Sequence, residues 1–275
     1  MAVEHIVLLV AGGLGAGFIA GVVGVGGGVI FAPVLYFYFE SQGISEAAIA
    51  PLVIGSSLFC TLIASLASSY FHQRKAAVDW STAARVGLGS SIAVFLMTRF
   101  VTTQPWFSGE VFKIAFSVVL LAVVGRMVLA KDRVADNPQS SKKRGSAFLF
   151  AVGSATGVVS AAAGVGGGVV LIPAYNQGIL MSMIRSIGTS SATIIFVALA
   201  GVASYMFLGP PLGLSALSVG AVDFGTSLLL VGPSILSVRL GVYVAHRINR
   251  KALQLGFAAL AFLVAIKLVS SVVLQ

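Results

Sequence analysis

The groups best placed to do chemistry in this sequence are backbone amides, and two glycine runs mark them. Gly24-Val25-Gly26-Gly27-Gly28 lies inside an apolar run from Ile6 to Phe39, and it recurs 140 residues later as Gly164-Val165-Gly166-Gly167-Gly168. The flanks recur as well: Pro33 matches Pro173, Gly17 matches Gly157 and Gly13 matches Gly153. Each glycine costs a helix interior about 1 kcal/mol relative to alanine, so both runs read as helix breaks. A helix that restarts at Gly28 or Gly168 aims free N–H groups and the positive end of its dipole into its surroundings. That is an anion site without a charged side chain, and the missing Cβ lets the anion approach closely. Gly26, Gly27, Gly28, Gly166, Gly167 and Gly168 are therefore the candidate binding residues. Close helix packing is the competing use of such glycines. Repetition at one register favours the site, because paired breaks in two halves point to a binding site.

Hydroxyls form the second candidate group. Ile54-Gly55-Ser56-Ser57 matches Ile187-Gly188-Thr189-Ser190, in the apolar unit after each break. Ser56, Ser57, Thr189 and Ser190 rank first because they match across the repeat. Thr61, Ser191 and Thr193 lie nearby. A hydroxyl can donate to an oxyanion and release it again; its alternative use is interhelical hydrogen bonding. Asp223 lies within an apolar unit with no basic residue near it in sequence, which makes it the candidate for carrying a coupling proton. Asp79, next to Trp80, reads as part of an interfacial anchor. His72 and His246 lie in basic loops and do not read as metal ligands. The single cysteine, Cys60, excludes an intrachain disulfide and a cysteine-cluster metal site, and reads as a packing residue. No metal, cofactor or catalytic residue is expected, since Asp223 alone cannot serve as both acid and base.

Composition dictates what must position these groups. Of 275 residues 58% are hydrophobic and 9% charged, and the mean hydropathy is +1.04. This is a polytopic membrane chain. Its apolar runs are near helix-crossing length and do not alternate with period two, so helices are expected and a barrel is not. The net charge of +9 reads as Lys and Arg retained on the cytoplasmic side, not as a nucleic-acid surface. The Met1–His5 leader carries no Lys or Arg, so the first run does not read as a cleaved signal peptide.

Four apolar units, Ile6–Phe39, Ile49–Tyr70, Ala83–Thr98 and Val111–Ala130, precede a polar stretch, Lys131–Gly145; four more follow, Ala147–Leu180, Ile187–Leu208, Leu214–Val238 and Ala252–Leu274. Phe116 in the fourth matches Phe257 in the eighth. The expected organisation is a first transmembrane repeat over 1–130, a cytoplasmic linker over 131–146 and a second repeat over 147–275. If every unit crossed once, giving eight plain helices, Arg185, Arg239, Arg247, Arg250 and Lys251 would fall outside. If each broken unit dips in and returns, these residues, the linker and His72–Lys75 all become cytoplasmic. About 17 residues before each break and about 11 after it cannot both span ~30 Å. The expectation is thus an all-α protein of two inverted repeats, each a re-entrant hairpin plus three full spans, with both termini external.

At these residues the chain resembles the TauE/SafE family of sulfite and organosulfonate permeases. The features that carry the resemblance are Gly21-Val22-Val23-Gly24 through Gly28 with Pro33, Gly164–Gly168 with Pro173, Ile54–Ser57, His72–Trp80 and Gly241–Arg247. The resemblance implies an inner-membrane carrier moving small sulfur-containing or carboxylated anions without ATP. The two half-sites are not identical, because Ser160-Ala161-Ala162-Ala163 stands where the first copy has Ala20-Gly21-Val22-Val23. The expected function is a secondary transporter of a small anion, sulfite or a sulfonate, by alternating access, with proton coupling as a further element. An anion channel of similar build is the alternative. The expected partners are the anion and the bilayer, without nucleic acid; a homo-oligomer is left open.

Overall fold

The computed structural model describes residues 3–129, 145–212 and 216–247, with positions 262, 265 and 266. The linker stretch 131–144, and the eighth apolar unit with Phe257 apart from those three positions, lie outside the described residues. The chain is helical: α1 (Val3–Val23), α2 (Gly28–Ser41), α3 (Glu46–Gln73), α4 (Trp80–Met97), α5 (Gly109–Leu129), α6 (Ser146–Ala163), α7 (Gly168–Pro173), α8 (Met183–Leu208) and α9 (Phe224–Ala245). Wider π-type turns extend α4 through Thr102 and α7 through Gly178. Among the described residues, six helices are long and apolar enough to cross a membrane: Glu4–Val23, Glu46–Gln73, Trp80–Thr102, Ser146–Ala163, Met183–Leu208 and Phe224–Ala245. The protein is an all-α, multi-pass membrane protein.

Each glycine run interrupts its unit. The first arms have 21 and 18 residues, more than the 17 expected, and at ~1.5 Å per residue they reach ~27–32 Å. The second arms are short: 14 residues in α2, and six in α7 followed by the five-residue π turn. Both units fold back on themselves. The His5 ring, near the start of α1, meets Tyr38 edge-on at 5.5 Å, and its Nε2 lies 3.4 Å from Ser41 Oγ at the end of α2. In the second unit the Phe148 ring, at the start of α6, packs over Gly178.

The hairpins are held crosswise. α1 lies along α9, with Gly13, Gly17 and Gly21 against the backbone of Leu230, Ser234 and Val238; α6 lies along α4, with Gly153 and Gly157 against Val86 and Ser90. A Cβ at any of these glycines would meet a carbonyl oxygen of the partner helix. Small residues at four-residue spacing allow this approach, and dispersion does the rest where no hydrophobic drive operates.

The seventh unit departs from expectation. It is not one helix from Leu214, a residue outside the described set. Two short strands, Ser218–Val219 and Val222–Asp223, form a hairpin, and α9 starts at Phe224. Gly220 at φ +58° makes the turn, and Asp223 accepts from the Thr226 N–H at 3.2 Å as an N-cap. Asp79 caps α4 in the same way through the Thr82 N–H at 3.1 Å, so α4 begins at Trp80 and not at Ala83.

Charge separates the two ends of the molecule. At one end the Lys75 ammonium and the Arg247 guanidinium sit 5.8 and 4.2 Å from the Tyr243 ring centre, and Arg185 pairs with Asp79 at 3.3 Å. At the other end Glu40 and Glu46 approach Lys113 at 4.0 and 3.7 Å.

Candidate functional site

The two glycine runs adopt one backbone conformation. Gly24, Gly26 and Gly27 have φ of +71°, +82° and +78°; Gly164, Gly166 and Gly167 have +68°, +73° and +77°. An L-residue in this region costs about 1–2 kcal/mol, which is why glycine occupies these positions. The Gly27 carbonyl accepts from the Ile30 and Phe31 N–H groups, and the Gly167 carbonyl from those of Val170 and Leu171. The N–H groups of residues 25 to 29 and 165 to 169 find no acceptor among the described residues. Successive amides in this alternating conformation form a concavity suited to an anion.

The runs meet each other. A Cβ on Gly28 would stand 2.6 Å from the Gly164 oxygen, and one on Gly168 would stand 2.9 Å from the Gly24 oxygen. Two reciprocal hydrogen bonds tie them: Ser57 Oγ donates to the Gly164 oxygen and Ser190 Oγ to the Gly24 oxygen, both at 2.9 Å. Ser56 and Thr189 turn the other way. The Asp223 N–H donates to Ser56 Oγ at 2.9 Å and the Asp79 N–H donates to Thr189 Oγ1 at 3.0 Å. All six candidate glycines, with Ser57 and Ser190, therefore share one place, while Ser56 and Thr189 brace the starts of α9 and α4.

Other buried hydroxyls are without partners. Thr61 Oγ1, Ser65 Oγ and Ser160 Oγ are buried with no hydrogen-bond partner, and all three residues are 0% exposed. The Thr61 methyl reaches both runs, 2.8 Å from the Cβ position of Gly26 and 2.7 Å from that of Gly166; Ser65 Oγ lies 3.1 Å from the former. Thr61 is near the middle of the 28-residue α3. Ser57, Thr61 and Ser65 follow one another at four-residue spacing, one face of a helix; that periodicity is the signal that could have found Ser65, which the sequence reading missed, and raised Thr61, which it left unranked. Across from them stands Ile194, whose Cγ2 lies 3.2 and 2.9 Å from the same two Cβ positions. The match that pairs Ile54 with Ile187 also pairs Thr61 with Ile194, so the hydroxyls crowd one wall.

Asp223 is 2% exposed. Its carboxylate accepts from Ser218 Oγ at 3.0 Å besides the Thr226 N–H. It is the counterpart of Asp79, which pairs with Arg185; the matching position in the first half is Leu52. Cys60 is buried and donates to the Ser227 oxygen at 3.5 Å. Among the described residues no three His, Cys, Asp or Glu side chains gather as a metal set.

A profile described as Sulfite exporter TauE/SafE matches residues 9–268, nearly the whole chain. The chain belongs to the TauE/SafE family. Similar proteins are described as probable membrane transporters. One from Methanocaldococcus jannaschii is 25% identical over 257 residues, covering 92% of this chain and 91% of its own. One from Haemophilus influenzae is 25% identical, covering 92% and 94%. YunE of Bacillus subtilis is 23% identical over 279 residues, covering 96% and 97%. No solved structure matches this TauE/SafE chain. Membership places the chain in a family of membrane transporters, and the paired breaks are where its sequence repeat is most regular.

Proposed function

We propose that this protein is a secondary carrier for a small anion, sulfite or a sulfonate or a related sulfur-containing organic anion, working by alternating access across the inner membrane. One observation carries the reading. Two backbone turns of the same conformation abut in the protein interior, beside Thr61 and Ser65, whose buried hydroxyls have no hydrogen-bond partner. Hydrogen bonds to a charged acceptor are worth roughly 1.5–3 kcal/mol each, so a few amide and hydroxyl donors hold an oxyanion without a fixed cation. A site of that strength also releases its ligand. The turns and hydroxyls are buried, which fits an occluded carrier better than an open pore.

In this reading the halves 1–130 and 147–275 are inverted, joined by the cytoplasmic stretch 131–146. Each carries a re-entrant hairpin, and the reciprocal Ser57 and Ser190 bonds are the two-fold copies of one contact. The end bearing Lys75, Arg185 and Arg247 faces the cytoplasm, and both termini are external. Gly26–Gly28 and Gly166–Gly168 bind the anion with Thr61 and Ser65. Ser57 and Ser190 hold the turns together, and Ser56 and Thr189 hold the neighbouring helix starts. Asp223 is a coupling candidate on the outer side. The test is uptake into proteoliposomes with a panel of sulfite, thiosulfate, methanesulfonate and acetate. Saturable flux with counterflow supports the carrier; single-channel currents without counterflow defeat it.

A further inference from the structure

Near the far end of each hairpin's first arm, a ring from the following long helix holds a backbone carbonyl. In the first half His72 Nε2 lies 3.1 Å from the Gly21 oxygen. In the second half Tyr205 Oη donates to the Ala161 oxygen at 3.0 Å. The two are copies of one contact. Gly21 and Ala161 are separated by the same 140 residues as the glycine runs, and His72 and Tyr205 by the same 133 as Ile54 and Ile187. One half therefore uses a titratable ring where the other uses a phenol.

The two rings differ in what remains open. The Tyr205 hydroxyl also bonds the Thr102 hydroxyl, so both its donor and acceptor roles are filled. A carbonyl only accepts, so His72 Nε2 must carry hydrogen, and the neutral ring leaves Nδ1 bare. His72 is 0% exposed, and Nδ1 has no hydrogen-bond partner. Reading His72 as part of a basic loop was wrong: α3 runs to Gln73, and the imidazole turns inward under the end of α1.

The charged and titratable groups around it are known among the described residues. From α9 comes His246, with ring centres 5.5 Å apart, and Arg247 on Tyr243; from its own helix end, Lys75 on the same tyrosine; from α8, Arg185, already paired with Asp79 before α4. α1 offers only the Gly21 carbonyl. Among the described residues, a proton added at Nδ1 would thus find no hydrogen-bond acceptor in this arrangement.

We propose that His72 is a protonation site that latches the basic end of the carrier, with Tyr205 as its non-titrating counterpart at the opposite end. The neutral ring holds the end of α1 against α3 in the closed arrangement. A proton on Nδ1 creates a buried cation beside Lys75 and His246, which disfavours closure, so acid favours opening of the basic end. The arrangement open at that end binds the proton more tightly than the closed one, which is what coupling requires. The inference rests on the carrier reading for its functional meaning, but not for its chemistry.

Two measurements on the full chain test it. Nitrogen NMR of histidine-labelled protein, with H72Q to assign the signals, is expected to show His72 as the Nε2–H form at high pH and to show one proton taken up on acidification. Flux of labelled methanesulfonate, whose charge does not change over this range, is expected to vary with pH, with a slope of up to about tenfold per unit for one proton; a flat profile in the unmodified chain overturns the latch. H72Q keeps an N–H for the Gly21 carbonyl and is expected to retain flux but lose that slope, whereas H72A loses flux at every pH. A wild-type slope in H72Q, or a His72 ring that holds the Nδ1–H form, overturns the latch. Absence of any methanesulfonate flux in the unmodified chain counts against the carrier reading alone, and the NMR titration still decides the latch.

Discussion

Consider Gly28→Ala. A Cβ there would stand 2.6 Å from the Gly164 oxygen, 2.7 Å from Val165 Cα and 2.9 Å from the Val165 carbonyl carbon. Ordinary contact begins at 3.4 Å, so the two glycine turns must part by about 0.8 Å. The obstacle is backbone on all three counts, and no rotamer change relieves it. Overpacking of this kind costs about 1–3 kcal/mol. If that cost falls on the arrangement with both turns together, its population drops by roughly 5–150-fold relative to arrangements in which they separate. Gly232→Ala is the control. A Cβ there meets open space, and replacing a glycine in α9 with alanine stabilises the helix by about 1 kcal/mol. The assay pairs anion flux in proteoliposomes with thermal unfolding of the purified protein. Gly28→Ala is expected to lower flux at least fivefold and to lower the unfolding midpoint; Gly232→Ala is expected to leave flux unchanged and to raise the midpoint slightly. Equal flux in the two variants refutes the claim that the turns must touch for transport.

Thr61→Val removes a buried hydroxyl that has no partner, so stability should hold or rise, by up to ~1 kcal/mol, while the half-saturating anion concentration rises about tenfold; unfolding midpoints and flux curves measure both. Ser190→Ala leaves the Gly24 oxygen without its donor and is expected to cost about 1–3 kcal/mol of stability in denaturation. Combining it with Ser57→Ala, which removes the reciprocal bond, should give a loss that departs from the sum of the two, because both bonds fix one contact. Asp223→Asn keeps an oxygen to cap α9, so folding is expected to survive; a changed pH dependence of flux supports a coupling role, and an unchanged one removes Asp223 from the mechanism.

Most of the site's backbone was legible in the sequence, because left-handed φ leaves glycine as the residue of choice and the same spacing occurs twice. The crosswise packing also left a trace in Gly13, Gly17, Gly153 and Gly157, whose missing side chains admit partner carbonyls. Hydroxyl roles were not legible. Ser56 and Ser57 are adjacent, yet one points to the start of α9 and the other to the opposite glycine run; a helix sends neighbours to different faces. Asp223 and Asp79 looked unlike in sequence, one among apolar residues and one in a charged stretch, although both cap helices in the same way. The short hairpin before α9 was announced by Gly209-Pro210-Pro211 and Gly220, but its apolar flanks read as helix. His72 was misplaced because its polar successors look like a loop, and only the contact with Gly21 reveals that it is buried.

The central claim is that the two glycine turns form one anion site with Thr61. Diffraction from crystals soaked with bromomethanesulfonate tests it most directly, since bromine gives an anomalous signal. The account predicts a peak within contact of Thr61 and both glycine runs, lost in Thr61→Val at the same concentration. A peak outside the junction of the two turns, in crystals of a protein that transports the compound, would contradict it.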